Sequence, residues 1–221
     1  MFAYVKDGSI VSMPRGNKGI IIDGNQYSKQ LFTTVYSEAE RNAVGVYTVE
    51  IDETNKKDEE WYINTNITYA YDASSNKVKG TYGSATDKAI ADSLYTQDDV
   101  DADVYPADYI YAAKRGKRIH SWVKDDVKTP GLKTIKKELI DNQCAGILAP
   151  SDWRLTKEQE TGDAMDSGWK TWRGNVRTKC NSMQTQIDNA ANVAALKTLF
   201  TYTTDSDGDT TRPLGEFPVK E

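Results

Sequence analysis

Alternating acidic residues in the C-terminal tail have the spacing of a cation-binding loop. Asp205, Asp207 and Asp209 correspond to the first three ligand positions of a calcium loop, and Glu216 falls where the closing carboxylate would be. Thr210, however, occupies the position where such a loop needs a glycine for its sharp turn. We therefore expect a solvated acidic loop and no metal site.

Other residues that support catalysis or phosphate binding are sparse. His120 is the only histidine, which leaves one base for any nucleophile–histidine pair, and we expect it to be a partly exposed helical residue. A basic cluster surrounds Gly116 and comprises Lys114, Arg115, Lys117 and Arg118. In a chain of net charge −5 this cluster favours a solvated helix face over a nucleic-acid site. Neither the dinucleotide-binding fingerprint nor the P-loop pattern occurs. We expect no enzyme, no cofactor and no nucleic-acid partner.

Two arginines beside two tryptophans are the strongest candidates for recognition. Trp169 and Trp172, like Arg173 and Arg177, lie about one helical turn apart. Guanidinium groups beside indole rings can stack on them or bind a carboxylate in a bidentate manner. The alternative is a surface arginine ladder that pairs with preceding carboxylates, Asp163 or Asp166.

These residues belong to the most regular apolar pattern in the chain, over residues 168–199. Its members recur every three or four residues and so form one stripe of a helix: Trp169, Trp172, Val176, Cys180, Met183, Ile187 and Ala191. The stripe must be covered by the same chain or by a partner. We predict partner contacts by Trp169, Trp172, Arg173, Val176 and Arg177.

Residues 1–83 have the pattern of a small antiparallel β meander. An Asp7-Gly8 turn joins the first two strands, while Ser37 and Glu40 form a capping box for a short helix that Gly45 ends. The predicted strands are 2–5, 10–13, 19–22, 31–36, 46–51, 61–71 and 78–82.

The rest of the chain has a helical pattern. Residues 84–108 form an acidic linker or a loosely packed short helix ending near Pro106, and residues 109–201 form a helical region. Its predicted helices cover 109–127, a segment opened by Thr129-Pro130, and 168–199, which is capped by Ser167 or Asp163 and breaks near 189–192. Residues 202–221 form an irregular tail.

A structural corner is predicted between the two main C-terminal helices. Pro150 bars continuation of the first helix, so that Ser151 or Asp152 is placed to cap the following turn. Trp153 is then expected to fold back onto an apolar surface formed by Leu139, Ile147 and the long helix.

The distribution of charge and the positions of the cysteines add to the prediction of the fold. Residues 1–113 carry a net charge of −8 and residues 114–221 carry +3, which indicates two structural regions in an α+β chain. Cys144 and Cys180 fall in helical apolar patterns, which favours buried free thiols and a reducing compartment. No apolar run is long enough for a membrane span, so a soluble chain without a membrane partner is expected.

Two elements of the sequence resemble phage tail-associated proteins. The first consists of the end of a helix, a Ser-Asp-Trp element and a later Trp-x-x-Trp-Arg-x-x-Val-Arg element. Its positions are Leu148, Ser151, Asp152, Trp153, Trp169, Trp172, Arg173, Val176 and Arg177. The second lies at Ser37, Glu40, Arg41, Gly45, Val46, Tyr47 and Val49. The departures are Trp172 where tyrosine is common, a missing proline before Trp169 and the Asp/Thr-rich tail. The resemblance leaves residues 84–130 unaccounted for.

The resemblance implies a function without catalysis. The family is associated with tail fibres, baseplates or tail-fibre assembly. It implies a structural component of a phage tail, a fibre- or baseplate-associated adaptor that docks onto other tail proteins in multiple copies. Such a chain would be made in the bacterial cytoplasm and located in the virion. The alternatives are a tail-fibre assembly chaperone absent from the particle, an enzyme, and a binder of host glycans through exposed aromatics.

Overall fold

The computed structural model describes residues 1–14, 18–102 and 124–220. Most of the helix predicted over 109–127 lies outside these ranges, as do His120 and the basic cluster of residues 114–118. The chain divides into two compact units, Met1–Asp87 and Lys88–Glu221.

The N-terminal unit is built on a five-stranded sheet. The strands of the whole unit are β1 (Phe2–Lys6), β2 (Ser9–Ser12), β3 (Ile20–Ile22), β4 (Asn25–Tyr27), β5 (Val46–Asp52), β6 (Tyr62–Ile63), β7 (Thr68–Asp72), β8 (Lys77–Thr81) and β9 (Thr86–Asp87). The sheet has the order β2-β1-β5-β8-β7, while β3–β4 and β6–β9 form separate two-stranded ribbons. The edge strands β2 and β7 approach within 8 Å between Cα atoms, so the sheet is strongly curved.

The predicted α+β class is confirmed, but the meander is wrong. Every paired strand of the sheet is antiparallel except β5 and β8, which run parallel with Val49 opposite Val78. The chain leaves β5 through an exposed segment and returns by the tight β7–β8 hairpin. In that hairpin the Asp72 carboxylate accepts from the Ser74 amide at 2.9 Å. The second strand of this hairpin, β8, is the one that pairs with β5, and β7 lies at the edge of the sheet. Since β8 runs in the same direction as β5, this pair is parallel.

Two predicted strands differ from the structure. Leu31–Val35 is a π-helix, closed by a hydrogen bond from the Tyr36 amide to the Leu31 carbonyl at 2.8 Å. Strand propensity reflects packing against neighbouring strands. The segment instead packs through Phe32, which is fully buried against the sheet. The run 61–71 divides into β6 and β7, with Trp61 buried just before β6.

Both faces of the sheet carry buried side chains, because successive residues of β1 point to opposite faces and three of them in a row are buried. Ala3 and Val5 pack on one face with Val49 and Val78. Tyr4 lies on the other face, where it packs with Ile20, Phe32 and Val46. The π-helix and the β3–β4 ribbon therefore cover one side of the sheet.

The short helix α1 (Glu38–Ala43) begins as predicted. Ser37 accepts from the Glu40 amide, and the Glu40 carboxylate accepts from the Ser37 amide at 2.8 Å, which completes the capping box. Arg41 on this helix donates to the carbonyls of Phe32 and Tyr36 at 3.1 and 3.0 Å. The helix therefore ties the π-helix in place.

The C-terminal unit is mainly helical. Its elements are β10 (Ser93–Leu94), α2 (Gln97–Asp101), β11 (Val127–Thr129), α3 (Leu132–Leu148), α4 (Asp152–Thr161), α5 (Ser167–Asn189), α6 (Val193–Phe200), β12 (Thr203–Thr204) and β13 (Thr210–Thr211). The break predicted near 189–192 separates α5 from α6. The cap of α5 is Asp166, and neither Ser167 nor Asp163 serves.

Helix α3 has Gly131 as its N-cap residue, two positions after the predicted cap Thr129, which lies in β11. The Asp92 carboxylate holds this end of the helix, because it accepts from the Gly131 amide at 2.6 Å and from the Thr134 hydroxyl at 2.9 Å. A Cβ at position 131 would lie 2.3 Å from the Ala91 backbone, so only glycine permits this approach.

Residues 84–102 belong to the segment predicted as an acidic linker or a loosely packed short helix, and they carry β9, β10 and the short helix α2. Tyr95 is 1% exposed, and its amide donates to the Asp126 carbonyl at 2.9 Å. This part of the segment is therefore packed within the C-terminal unit.

The apolar stripe of α5 is covered by the same chain. Helix α3 packs along α5. Their buried residues include Val176, Cys180, Met183 and Ile187 on α5 and Leu132, Ile140, Cys144 and Leu148 on α3. Ala191 follows the end of α5 and is exposed. Most of the stripe is therefore core.

Gly45 permits a close approach of α1 to β1. Both Gly45 and Gly8 have φ of 76°, but a Cβ at Gly45 would lie 2.7 Å from the Val5 carbonyl oxygen, while one at Gly8 would meet nothing within 4 Å. We expect Gly8→Ala to lower the free energy of unfolding by about 1–2 kcal/mol through the backbone alone. Gly45→Ala should lose about 1–3 kcal/mol more through the clash. Urea melts of the full chain measure the difference, and equal losses would contradict this packing.

Candidate functional site

A buried guanidinium joins α5 to the corner between α3 and α4. Arg173 is 3% exposed, and its Nη1 donates to the Leu148 carbonyl at 3.0 Å and to the Ser151 hydroxyl. Its Nη2 donates to the Asp152 carboxylate at 2.7 Å. The Ser151 hydroxyl itself donates to the Leu148 carbonyl at 2.7 Å. We call these four residues the Arg173 corner.

The corner satisfies backbone groups that a helix end leaves without partners. The last carbonyls of α3 have no N–H donor within the helix. A cation near them is favourable because of the helix dipole. Arg173 supplies both a donor and a positive charge at this end. Ala149–Ser151 forms a 3-10 turn that leads directly into α4.

Two predicted partner contacts are therefore wrong. Arg173 and Val176 are 3% and 0% exposed, so neither is accessible from outside the folded chain. The surface ladder with Asp163 or Asp166 does not form either, because Arg173 pairs with Asp152. Val176 lies in the buried stripe of α5, and the structure places Arg173, three residues earlier, on the same covered side.

The predicted burial of Trp153 is also wrong. Trp153 is 56% exposed, and Leu139, its expected neighbour, is 41% exposed. Neither Ser151 nor Asp152 caps α4 through its side chain. Arg173, instead of Trp153, contacts the end of α3 at the Leu148 carbonyl, and Trp153 lies on the surface of α4.

Trp153 is the exposed member of an aromatic and cationic cluster whose other residues are half-buried. The Arg154 guanidinium carbon lies 4.6 Å from the centre of the Trp153 ring and 4.3 Å from that of Trp169. Trp169 meets Trp172 edge to face with ring centres 5.5 Å apart, and the Lys220 ammonium lies 5.3 Å from the Trp169 ring. We call these five residues the tryptophan surface.

The C-terminal tail completes this surface. The Trp172 indole donates to the Pro218 carbonyl at 2.9 Å, and Lys179 donates to the Leu214 carbonyl at 3.0 Å. Leu214 is fully buried. The predicted irregular tail therefore contains the short β12–β13 hairpin and then packs along α5.

Two adjoining depressions follow the line where the tail meets α5. Their volumes are about 350 and 460 Å³, and they share Asn175 and Pro218. The first extends to Trp172 and Lys220 and is also lined by Ser167 and Thr171. It therefore continues directly from the tryptophan surface.

The tail aspartates form a turn inside the β12–β13 hairpin. The Asp205 carboxylate accepts from the amides of Asp207 and Asp209 at 3.0 and 2.9 Å. In the described parts of the chain, no three histidine, cysteine or acidic side chains are arranged to hold a metal ion.

The predicted free thiols are confirmed. Cys144 and Cys180 are both unpaired and buried. Burial, followed by the neighbouring Cys144 thiol, raises the pKa of Cys180 to about 12. At neutral pH the Cys180 thiol is therefore protonated and a poor nucleophile.

Sequence reasoning missed two members of the tryptophan surface. Arg154 directly follows the predicted corner, and its position next to Trp153 was the available signal. No sequence pattern indicated that Lys220 belongs to this surface, because only the fold brings the tail to α5. Arg177 is exposed as predicted but is not part of this cluster.

The chain matches no known family model, no curated protein and no solved structure. Among the described residues, no helix is both long and apolar enough to cross a bilayer.

The Arg173 corner predicts an unequal cost for losing two exposed carboxylates. Asp152 is 59% exposed but pairs with a buried cation, whereas Asp163 is 67% exposed and pairs with the exposed Lys157. We expect Asp152→Ala to cost about 2–4 kcal/mol, because Arg173 is left buried without its counter-charge. Asp163→Ala should cost less than about 1 kcal/mol. Urea melts of both variants test this, and similar midpoints would contradict it.

Proposed function

We propose that this chain is a structural component of a phage tail, a fibre- or baseplate-associated adaptor that docks other tail proteins on its tryptophan surface. The observation that carries the proposal is the exposed Trp153 ring beside Arg154 and Trp169. Tryptophan and arginine are the residues most enriched at the energetic centres of protein interfaces.

The size of the exposed ring supports docking. A tryptophan side chain presents roughly 150–250 Å², and 56% of Trp153 is exposed. Covering that area would yield about 2–3 kcal/mol at roughly 25 cal/mol per Å². That contribution alone would change an affinity roughly a hundredfold.

The rigid support of the surface is a second argument. Trp153 and Arg154 follow the Arg173 corner directly, and Trp169 lies one turn before Arg173 on α5. Because the corner holds the two helices that carry these side chains, little backbone freedom remains to be lost on docking.

The assignment to a phage tail rests on the sequence resemblance. Four of its positions, Leu148, Ser151, Asp152 and Arg173, are joined by hydrogen bonds in this fold. The resemblance therefore involves a coherent structural unit. The alternative of an assembly chaperone would use the same surface transiently.

Incorporation into particles tests the proposal. We expect Trp153→Ala to reduce the amount of this chain in purified phage particles at least about tenfold, the effect of losing roughly 1.4 kcal/mol. Leu155→Ala is the matched control, because Leu155 is 37% exposed on the same helix and lies outside the cluster. It should incorporate normally, and thermal melting should show both variants folded.

Quantitative mass spectrometry of the particles gives the result. Normal incorporation of Trp153→Ala would contradict docking on this surface. Absence of the wild-type chain from particles whose assembly requires it would instead support the chaperone.

A further inference from the structure

Arg154 of the tryptophan surface has no counter-ion in the part of the chain that the structure describes. The structure describes no ion pair or hydrogen bond of Arg154 within residues 1–14, 18–102 and 124–220, and its Nε is buried without a partner. Its contacts are the two indole rings. A cation–π contact engages the positive charge but does not use the N–H donors of the guanidinium.

The acidic side chains of the same segment are engaged elsewhere. Residues 152–166 contain five carboxylates, and four of them have other partners. Asp152 pairs with Arg173, Glu158 with Lys170 and Asp163 with Lys157. Asp166 caps α5 by accepting from the amides of Gly168 and Trp169. Among the described residues these four carboxylates are engaged by other groups, which leaves the terminal Nη donors of Arg154 available to an external anion.

We infer that Arg154 binds a side-chain carboxylate of an acidic peptide segment in the docked partner, between Trp153 and Trp169. This inference rests on the proposed docking function and specifies the chemistry of its partner. The planar fork of a guanidinium matches the two oxygens of a carboxylate. The adjacent rings lower the local dielectric and strengthen that contact.

The surroundings favour a peptide over a polyanion. A nucleic acid requires a line of cations along its backbone, and the tryptophan surface offers only Arg154 and Lys220. The depression beside Trp172, about 350 Å³ in volume, is lined by the polar residues Ser167, Thr171 and Asn175. Those groups can hydrogen-bond the backbone of a segment whose carboxylate lies on Arg154.

Fluorescence anisotropy with defined peptides tests the inference on the full chain. The probes are a labelled peptide of repeated Glu-Gly-Tyr units and its counterpart with glutamine in place of glutamate. We expect the glutamate peptide to bind at least about tenfold more tightly, and this preference to shrink as salt is raised, because exposed charges are screened.

Matched charge variants locate the contact. Arg154→Gln should remove the preference for glutamate, whereas Lys157→Gln should retain it, because Lys157 is exposed, paired with Asp163 and outside the cluster. Thermal melts establish that both variants are folded. Equal binding of the two peptides, no binding of the glutamate peptide, or an unchanged preference in Arg154→Gln would each overturn the inference. Tighter binding of an oligogalacturonate than of the glutamate peptide would overturn it in favour of an acidic sugar.

Particle incorporation separates this inference from the proposed function. If Trp153→Ala fails to incorporate while Arg154→Gln incorporates normally, docking stands and the carboxylate contact is wrong. If both variants incorporate normally, docking on this surface is wrong as well.

Discussion

The buried Arg173 guanidinium is the interaction on which the C-terminal unit depends most. Burying a cation is costly unless it is both paired and hydrogen-bonded. Here one side chain receives a helix-end carbonyl from Leu148, a hydroxyl from Ser151 and a carboxylate from Asp152. Arg173 comes from a different helix than these acceptors, so their geometry fixes the approach of α5 to the corner between α3 and α4.

The exposed Trp153 lies beside this contact. Asp152 binds Arg173, and of the next two residues, Arg154 stacks on both the Trp153 ring and the Trp169 ring at the start of α5. The tail reaches the same place through the bond from Trp172 to the Pro218 carbonyl. The buried Arg173 corner and the tryptophan surface are therefore adjacent, and the same two helices carry both.

The sequence was informative where structure depends on local periodicity. The α5 stripe, the break before α6, the Ser37 capping box and the Asp7-Gly8 turn all follow from spacing within a few residues. Long-range contacts were not predictable in this way. The carboxylate that binds the N-terminal end of α3 belongs to Asp92, 39 positions from the Gly131 amide, and strand-like residues 31–35 form a π-helix because they cover a sheet face.

The candidate site, too, was predictable only where it depends on local spacing. Helical spacing correctly placed Trp169, Trp172 and Arg173 close together, but it did not show which of them faced the core. Arginine is expected outside and tryptophan inside, and the Arg173 corner reverses both expectations at Arg173 and Trp153. Only the three-dimensional arrangement of acceptors explains that exchange.

The NMR chemical shifts of the Arg154 δ protons test this dependence most directly. Protons held over indole rings are shifted upfield by ring currents, so the wild-type chain should show strongly upfield Arg154 resonances. Arg173→Lys keeps the charge but loses the planar fork that binds three acceptors. It should move the Arg154 shifts toward their unfolded values, while the methyl resonances of the distant Ile187 and Leu196 stay in place. Arg177→Lys, an exposed control on the same helix, should leave Arg154 unchanged. Upfield Arg154 shifts that persist unaltered in Arg173→Lys would contradict the account.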